Sequence, residues 1–590
     1  LKVDCLAVSG GWNPNLQLTC HHGGRPQWDS DLAAFVPGRH IPRGMAVAGA
    51  AAGKFSLGSV LKHAVDVVSA VLDDLGLTTA DLQFGESDEN PFAIEPFWQV
   101  KPSQGRAWVD FQNDVTTKDI ELSHREGMRA MEHLKRYTTL GMATDQGKAG
   151  NVPAIAIMAE LTGKSIPETG TTIYRPPYTP VAIGAFAGRA RGRGFRPVRK
   201  TPSHRWAEEH GAVFVEVGAW LRAQWYARPA ETHWRQSVDR EVMTTRSSVG
   251  VCDVTTLGKI DIQGTGAATL LNHAYTNGFS TLPVGKVRYG LMLREDGIAY
   301  DDGTTARLGE THYVMTTTTA NAGLVFRQLE FMRQCLFPDL DVHIISTTDG
   351  WAQFSIAGPN ARRLLQKIID PGFDISNEAF PFMSCAEIKI CGGFAARLFR
   401  ISFSGELAYE IAVPARFGHS LMDILIKAGK EFDVTPYGTE ALGVMRVEKG
   451  HFAGNELTGQ TTALNLGAAR MLSSKKDFQG SILARRPHLN DANALKLVGV
   501  RPEDTNAKLR AGAHFLSTGN KAVLENDEGW ISSCIYSPTF KSYIGLGLLK
   551  RGDERHGETV TAADPLYGSM VPVTVCSPHF YDPKGERQRG

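Results

Sequence analysis

Two stretches of this chain repeat one another, and that repetition limits the fold more than any other feature. Ile262-Gln-Gly264-Thr-Gly-Ala267-Ala-Thr-Leu270-Leu271 matches Ile356-Ala-Gly358-Pro-Asn-Ala361-Arg-Arg-Leu364-Leu365. Gly, Ala, Leu and Leu fall at the same offsets, with Gly358 following Gly264 by 94 residues. Each copy reads as a strand, a glycine turn and a helix whose Ala and Leu positions face a sheet. A strand pair follows each copy, around residues 289–314 and 388–413. Duplicated units of this kind pack about a pseudo-two-fold axis and leave a cleft between the halves, where ligand chemistry is expected.

The rest of the chain sets the context. With 590 residues, two to four domains of roughly 150 residues are expected. Sixty-three basic against 62 acidic side chains leave a formal charge of +1, which gives no basis for nucleic acid or an anionic membrane as partner. No apolar run approaches the roughly 18 residues that span a bilayer. No basic-then-apolar leader opens the chain, so a cytoplasmic location is expected. The chain starts at Leu1 on a strand-like run with Val3, Cys5 and Ala7 inward, and reads as truncated. Eight scattered cysteines form no C-x-x-C and read as reduced thiols. Cys20-His21-His22 lacks a second ligand pair at metal spacing, so no metal is expected.

Residues 46–52 suit a buried strand, and Leu57, Leu61, Ala64, Val67, Val68, Val71 and Leu72 recur at helical spacing. Gly49-Ala-Ala-Ala-Gly53-Lys54 has the wrong spacing for a phosphate loop, and Phe55 replaces its Ser or Thr. Thr116 to Asp119 resembles a capping box, with Ile120, Met128, Met131 and Leu134 on one apolar stripe after it. Residues 141–148 read as a helix-terminating turn or a backbone nest for phosphate. Residues 174–201 hold Pro176, Pro177 and Pro180, then Gly alternating with Arg189, Arg191, Arg193, Arg196, Arg199 and Lys200. That linker is either solvated or packed across an acidic neighbour.

Acidic residues stand at both strand pairs: Glu295-Asp296-Gly297 and Asp301-Asp302-Gly303 in the first, Gly405-Glu406 and Tyr409-Glu410 in the second. Beside glycine such residues are ordinary turn formers. Glu410 differs, because alternation puts it on the same face as Ala412 within an apolar strand. A carboxylate there is costly to bury without a donor. A ligand with paired N–H groups, such as the 2-amino-4-oxo edge of a pterin, satisfies it bidentately.

Six motifs in order carry a resemblance. They are Glu241-Val-x3-Arg246-x2-Val249-Gly250-x2-Asp253-Val-x3-Gly258-x5-Gly264; Leu291-Met-Leu-x3-Gly297-x3-Asp301-Asp302; Ile356-x-Gly358-Pro-Asn-Ala361; Phe403-Ser-Gly405-Glu406-x2-Tyr409-Glu410; Arg446-x-Glu448-x-Gly450; and Ser537-Pro538-Thr539. Over about residues 205–590 they resemble the aminomethyltransferase (T-protein) of the glycine cleavage system. Residues 9–14, 35–38, 109–119, 133–139 and 175–180 resemble the alpha subunits of heterotetrameric sarcosine oxidases, which extends the similarity over nearly the whole chain.

The resemblance implies an α+β and α/β multidomain chain. Its expected parts are a partial FAD/NAD-type dinucleotide-binding layer (1–83), a small helical domain (84–170), a linker (171–204), a duplicated folate-binding module (205–485) and a C-terminal β-rich domain (486–590). It also implies oxidation of sarcosine on a flavin-bearing beta subunit, with small gamma and delta subunits, and transfer of the one-carbon unit to tetrahydrofolate on this chain. FMN would sit at the contact with the partner subunit. The family binds NAD through a Gly-rich strand-to-helix turn that this sequence does not contain. By the same carry-over Asp301 lies beside the reacting folate nitrogen, Glu410 reads the pterin, Phe403 stacks on it, and Tyr289 and Arg446 line the pocket. Tyr289 and Phe403 also read as core aromatics, and Arg446 as a partner near Glu448. Three rival readings are a stand-alone aminomethyltransferase working on a lipoyl carrier, a dimethylglycine-type oxidase with a fused flavin domain, and a non-catalytic folate-binding scaffold.

Overall fold

The computed structural model describes residues 2–5, 10–80, 82, 87, 92, 94–102, 104–195 and 197–590. The expected opening strand through Ala7 lies partly outside them. The chain divides into two compact units, Leu1–Arg196 and Pro197–Gly590.

The first unit packs a hairpin, Gln27–Asp29 with Ala34–Val36, and several helices around Phe35, Ile120, Leu134, Leu140, Ile155 and Met158. The strand expected at residues 46–52 does not form. Gly49–Ala52 is a 3-10 turn closed by Gly53 at φ +79°, since consecutive alanines bring no β-branched bulk to hold a pleat. Helix Leu57–Asp74 does form, capped by Ser56. The capping box of Thr116 and Asp119 is present, but the stripe after it splits into two helices, Thr117–Arg125 and Met131–Thr138. Gly127 at φ +89° breaks the run between them. At residues 141–148 the Gly141 N–H donates to the Asp110 carboxylate at 2.8 Å, so the protein's own anion occupies that backbone turn.

The second unit holds the duplication as two sheets. One runs Val287–Leu293, Ala299–Gly309, His312–Thr317, Gly258–Gln263, His343–Ser346. The other runs Cys385–Ile390, Phe394–Phe399, Ala408–Pro414, Trp351–Ala357, Gly250–Asp253, Thr435–Pro436. Gly258–Gln263 and Trp351–Ala357 are the central strands of the two repeats. Each repeat lends the other a strand. Gly250–Asp253, which leads into the first central strand, pairs with the second, placing Val251 opposite Ile356. His343–Ser346, which leads into the second, pairs with the first, placing Ile344 opposite Ile262.

The repeat glycines guard this exchange. Gly264 and Gly358 adopt φ +123° and +126°. A Cβ on Gly264 would lie 2.2 Å from the Asp341 carbonyl oxygen, and one on Gly358 would lie 2.4 Å from that of Ser248. Both carbonyls belong to the chain entering a lent strand. Matching bonds complete the symmetry: Gly266 N–H donates to Asp341 at 2.9 Å and Asn360 N–H to Ser248 at 3.0 Å. The following helices, Ala267–Ala274 and Ala361–Gln366, bury the expected Ala and Leu positions.

Six strands near the C-terminus, Leu495–Pro502, His514–Ser517, Gly529–Ser537, Ser542–Lys550, Thr559–Asp564 and Ser569–Cys576, close into a barrel filled by Val498, Val500, Phe515, Ile531, Val573 and Val575. A buried charge network joins it to the repeats. Arg246 donates to Glu448 at 2.6 Å and to Glu406 at 3.0 Å. Ser537 of the barrel donates to Glu448 at 2.5 Å, while Tyr581 and Arg587 donate to Glu406 at 2.6 and 3.0 Å.

Candidate functional site

Side chains alternate across a strand, so register decides which residues look from one repeat toward the other. In the first sheet Val287, Tyr289 and Leu291 stand opposite Ala306, Thr304 and Asp302, all on one face. Val287 and Ala306 pack against Phe399 and Ala412 of the second sheet. Asp261 reaches across as well, accepting two hydrogen bonds from Arg397 at 3.0 and 3.2 Å, and Lys259 lies on its face. In the second sheet Arg397 and Gln353 both oppose Ala412, and Phe399 opposes Glu410. Tyr289, Asp302, Lys259, Gln353 and Glu410 therefore line the two faces between the repeats.

Glu410 is 8% exposed and Gln353 is 2% exposed. The Gln353 amide donates to the Glu410 Oε2. Among the described residues no ion pair reaches Glu410. Burial raises its carboxyl above the ordinary range, while the Gln353 hydrogen bond and the Lys259 charge oppose that. The Lys259 ammonium donates to the carbonyls of Thr255 and Leu257 at 2.7 and 2.9 Å. Burial brings its pKa down to about 8.

The adjacent aspartates part company. Asp301 opposes Met292 and turns toward the helical layer of the first repeat, whose core holds Met292, Tyr275 and Met315. It is fully buried and accepts from Thr318 N–H at 3.2 Å, Thr318 Oγ1 at 2.7 Å and Asn321 Nδ2 at 3.2 Å. Burial raises its carboxyl, and these donors oppose the rise. Asp302 faces the second repeat and is half-buried. Its Oδ2 accepts from the Tyr289 hydroxyl at 2.7 Å. Burial, with the neighbouring Asp301 adding to it, brings Asp302 up to about 7, and burial also pushes the Tyr289 hydroxyl well up.

Phe403 is exposed, in the turn before Ala408–Pro414, with its ring 5.5 Å from that of His451. Phe452 lies 6.4 Å from Tyr289, so the dipeptide His451–Phe452 touches both aromatic candidates. Arg446 stands apart in role. Its guanidinium donates to Glu456 at 2.9 Å and to Ser533 of the barrel at 2.7 Å.

The chain resembles known proteins over this same architecture. Residues 203–476 match the family described as GCVT N-terminal domain, and residues 496–582 the glycine cleavage T-protein C-terminal barrel domain. Residues 104–189 match the sarcosine oxidase A3 domain. Sarcosine oxidase subunit alpha of Rhizobium meliloti (strain 1021) is 49% identical over 591 residues, covering 100% of this chain and 60% of that one. Over its whole length this chain is similar to sarcosine oxidase alpha subunits, and over its larger part to the T-protein domains. The corresponding subunit of Corynebacterium sp. (strain P-1) is 39% identical over 611 residues, 100% of this chain and 62% of that one. The chain thus spans about three-fifths of the length of these relatives. The T-protein fold is matched by the crystal structure of glycine cleavage system aminomethyltransferase T from Bartonella henselae. Its TM-score is 0.56 at 23% identity, over 65% of this chain and 98% of that one.

Within the T-protein module, sequence reasoning passed over Asp302 as a site residue, and with it Gln353, Lys259 and His451. A signal for two of these was present: Gln353 follows Lys259 by the repeat distance, so both occupy the same place on the two central strands. The motif residues Arg246, Glu406, Glu448 and Ser537 form the buried charge network that joins repeats to barrel.

Proposed function

We propose that this chain is the alpha-type subunit of a sarcosine-oxidising complex and that its T-protein module transfers the released one-carbon unit to tetrahydrofolate. The observation that carries the reading is Glu410: a buried carboxylate without an ion pair among the described residues, facing the space between the repeats. Such a group calls for N–H donors from a ligand, and a pterin edge offers two. A partner flavin subunit supplies the oxidation, taking two electrons and two protons from sarcosine to leave an imine, with oxygen reduced to hydrogen peroxide. Tetrahydrofolate, when bound, supplies the amines that take up the imine carbon as 5,10-methylenetetrahydrofolate and release glycine; water in their place gives formaldehyde.

The chain's own residues bind, orient and set charge. Glu410 accepts from the pterin edge, with Phe403 available to stack. Tyr289 fixes the Asp302 carboxyl, which stands on the ligand-facing side and holds or gives up a proton near neutrality. Asp301 anchors the same strand to Thr318 and Asn321 behind it, and contributes a charge next to Asp302. Arg446 holds the Thr439–Lys449 helix to the barrel. The partners in this reading are a flavin-bearing beta subunit and small gamma and delta subunits in the cytoplasm, with FMN at the subunit contact. NAD is assigned no residue in this reading.

Calorimetry with 5-formyltetrahydrofolate, a stable analogue, tests the reading. The chain is expected to bind it, and Glu410→Ala to weaken it by about 2–3 kcal/mol. Unchanged affinity in the variant would remove Glu410 from the site.

A further inference from the structure

We infer that Gln353 is the positioning residue for Glu410, holding its carboxylate as an oriented acceptor for the pterin edge. The inference rests on the folate reading above and adds to it the group that decides whether Glu410 can recognise its ligand. A buried glutamate has two forms with opposite hydrogen-bonding character. Ionised, it accepts from two ligand N–H groups; protonated, it presents an O–H donor toward those same groups and repels them. Burial favours the protonated form. Two devices in the structure act against it, and they come from equivalent places in the two repeats. Gln353 donates its amide directly to Oε2. Lys259, at the same position of the other central strand, supplies a buried positive charge.

Gln353 is built to hold one orientation. Its backbone N–H donates to Thr255 Oγ1 at 3.0 Å, and its carbonyl accepts from Val254 N–H at 2.9 Å. The side chain thus projects from a strand pinned on the lent strand's exit. With Oε2 taken by the amide, the other carboxylate oxygen is left free to accept from a ligand between the repeats. The titratable groups that act on Glu410 are Lys259 from the first central strand, Cys252 from the lent strand and Tyr437 from the segment before helix Thr439–Lys449. Burial raises the Cys252 thiol to about 12 and the Tyr437 hydroxyl well above its ordinary value, so both are neutral at working pH. Lys259, at about 8, stays largely charged below neutrality.

The test is calorimetric binding of 5-formyltetrahydrofolate to the 590-residue chain between about pH 5 and 7, where Lys259 stays largely charged. Gln353→Leu keeps the volume and removes the donor. Its Kd is expected to rise roughly tenfold, with the loss setting in at higher pH than in the wild type, because the Glu410 carboxyl now titrates higher. The exchange Gln353→Glu with Glu410→Gln restores an amide–carboxylate pair but moves the charge. It is expected to keep the wild-type thermal midpoint and still bind weakly. If Gln353→Leu keeps the wild-type Kd and pH profile while Glu410→Ala loses binding, Gln353 does not position Glu410. Wild-type affinity in the exchanged pair overturns the inference equally. Absence of binding by the wild-type chain would instead end the folate reading itself.

Discussion

Tyr289 and Asp302 show at the scale of single residues how a site differs from a turn. A carboxyl brought up to about 7 by burial costs stability once it ionises. In the unfolded chain the same group titrates near 4, so between about pH 4 and 7 the native state holds the extra proton and stability falls as pH rises. Asp302→Asn is therefore expected to raise the thermal midpoint at pH 8 and leave it nearly unchanged at pH 4, with a gain on the order of 2 kcal/mol. Thermal melts across that range check it; equal midpoints at both ends would place Asp302 in open solvent. Which aspartate of the pair faces the second repeat was not legible in the sequence. An irregularity between Met292 and Leu293 shifts the register, leaving Tyr300 unmatched, and a one-residue slip turns every side chain to the other face. Glu410 was legible, because uninterrupted alternation with Ala412 fixed its face without knowledge of the partner strand.

At the scale of elements, the repeat was readable and the exchange of strands was not. Offsets within Ile262–Leu271 and Ile356–Leu365 report strand, turn and helix, whereas pairing of Gly250–Asp253 with the distant Trp351–Ala357 is a tertiary choice. The glycine turns carry the consequence. Gly358→Ala drives a Cβ into the Ser248 and Thr245 carbonyls at a backbone angle that disfavours any side chain. It is expected to destabilise the module by about 2–4 kcal/mol, measured by urea unfolding. The same substitution at Gly323, where nothing lies within 4 Å, serves as control and should cost far less. The motif Arg446-x-Glu448-x-Gly450 divides in the same way. Glu448 joins Arg246 to Ser537 in full burial, so Glu448→Ala leaves a buried guanidinium short of its partner and should cost about 3–5 kcal/mol. Loss of less than about 1 kcal/mol would show the network to be solvated. The strand expected at residues 46–52 failed for the opposite reason: Val47 is the single β-branched side chain in a run of Ala and Gly, too little to hold a pleat, and the segment stays mostly unburied.

At the scale of the whole molecule, oxidation and capture are expected at separate places. In the proposed reading the repeats supply the capture site between their faces, and the oxidising flavin belongs to a partner. The chain by itself is expected to consume no oxygen with sarcosine, checked with an oxygen electrode on colourless, purified protein. Joined to a flavin subunit, the module would meet a labile imine before water does, a proximity effect. The central claim is that capture occurs at the Asp302–Tyr289–Glu410 faces. Its most direct test measures oxygen uptake and formaldehyde on one sample of the assembled complex, with sarcosine and saturating tetrahydrofolate. Losing one preorganised electrostatic group costs about 2.7–4 kcal/mol in the step it serves. In Asp302→Asn, oxygen uptake should therefore stay at the wild-type rate while product shifts from methylenetetrahydrofolate to free formaldehyde. Equal loss of both rates, or an unchanged formaldehyde share, would contradict the account.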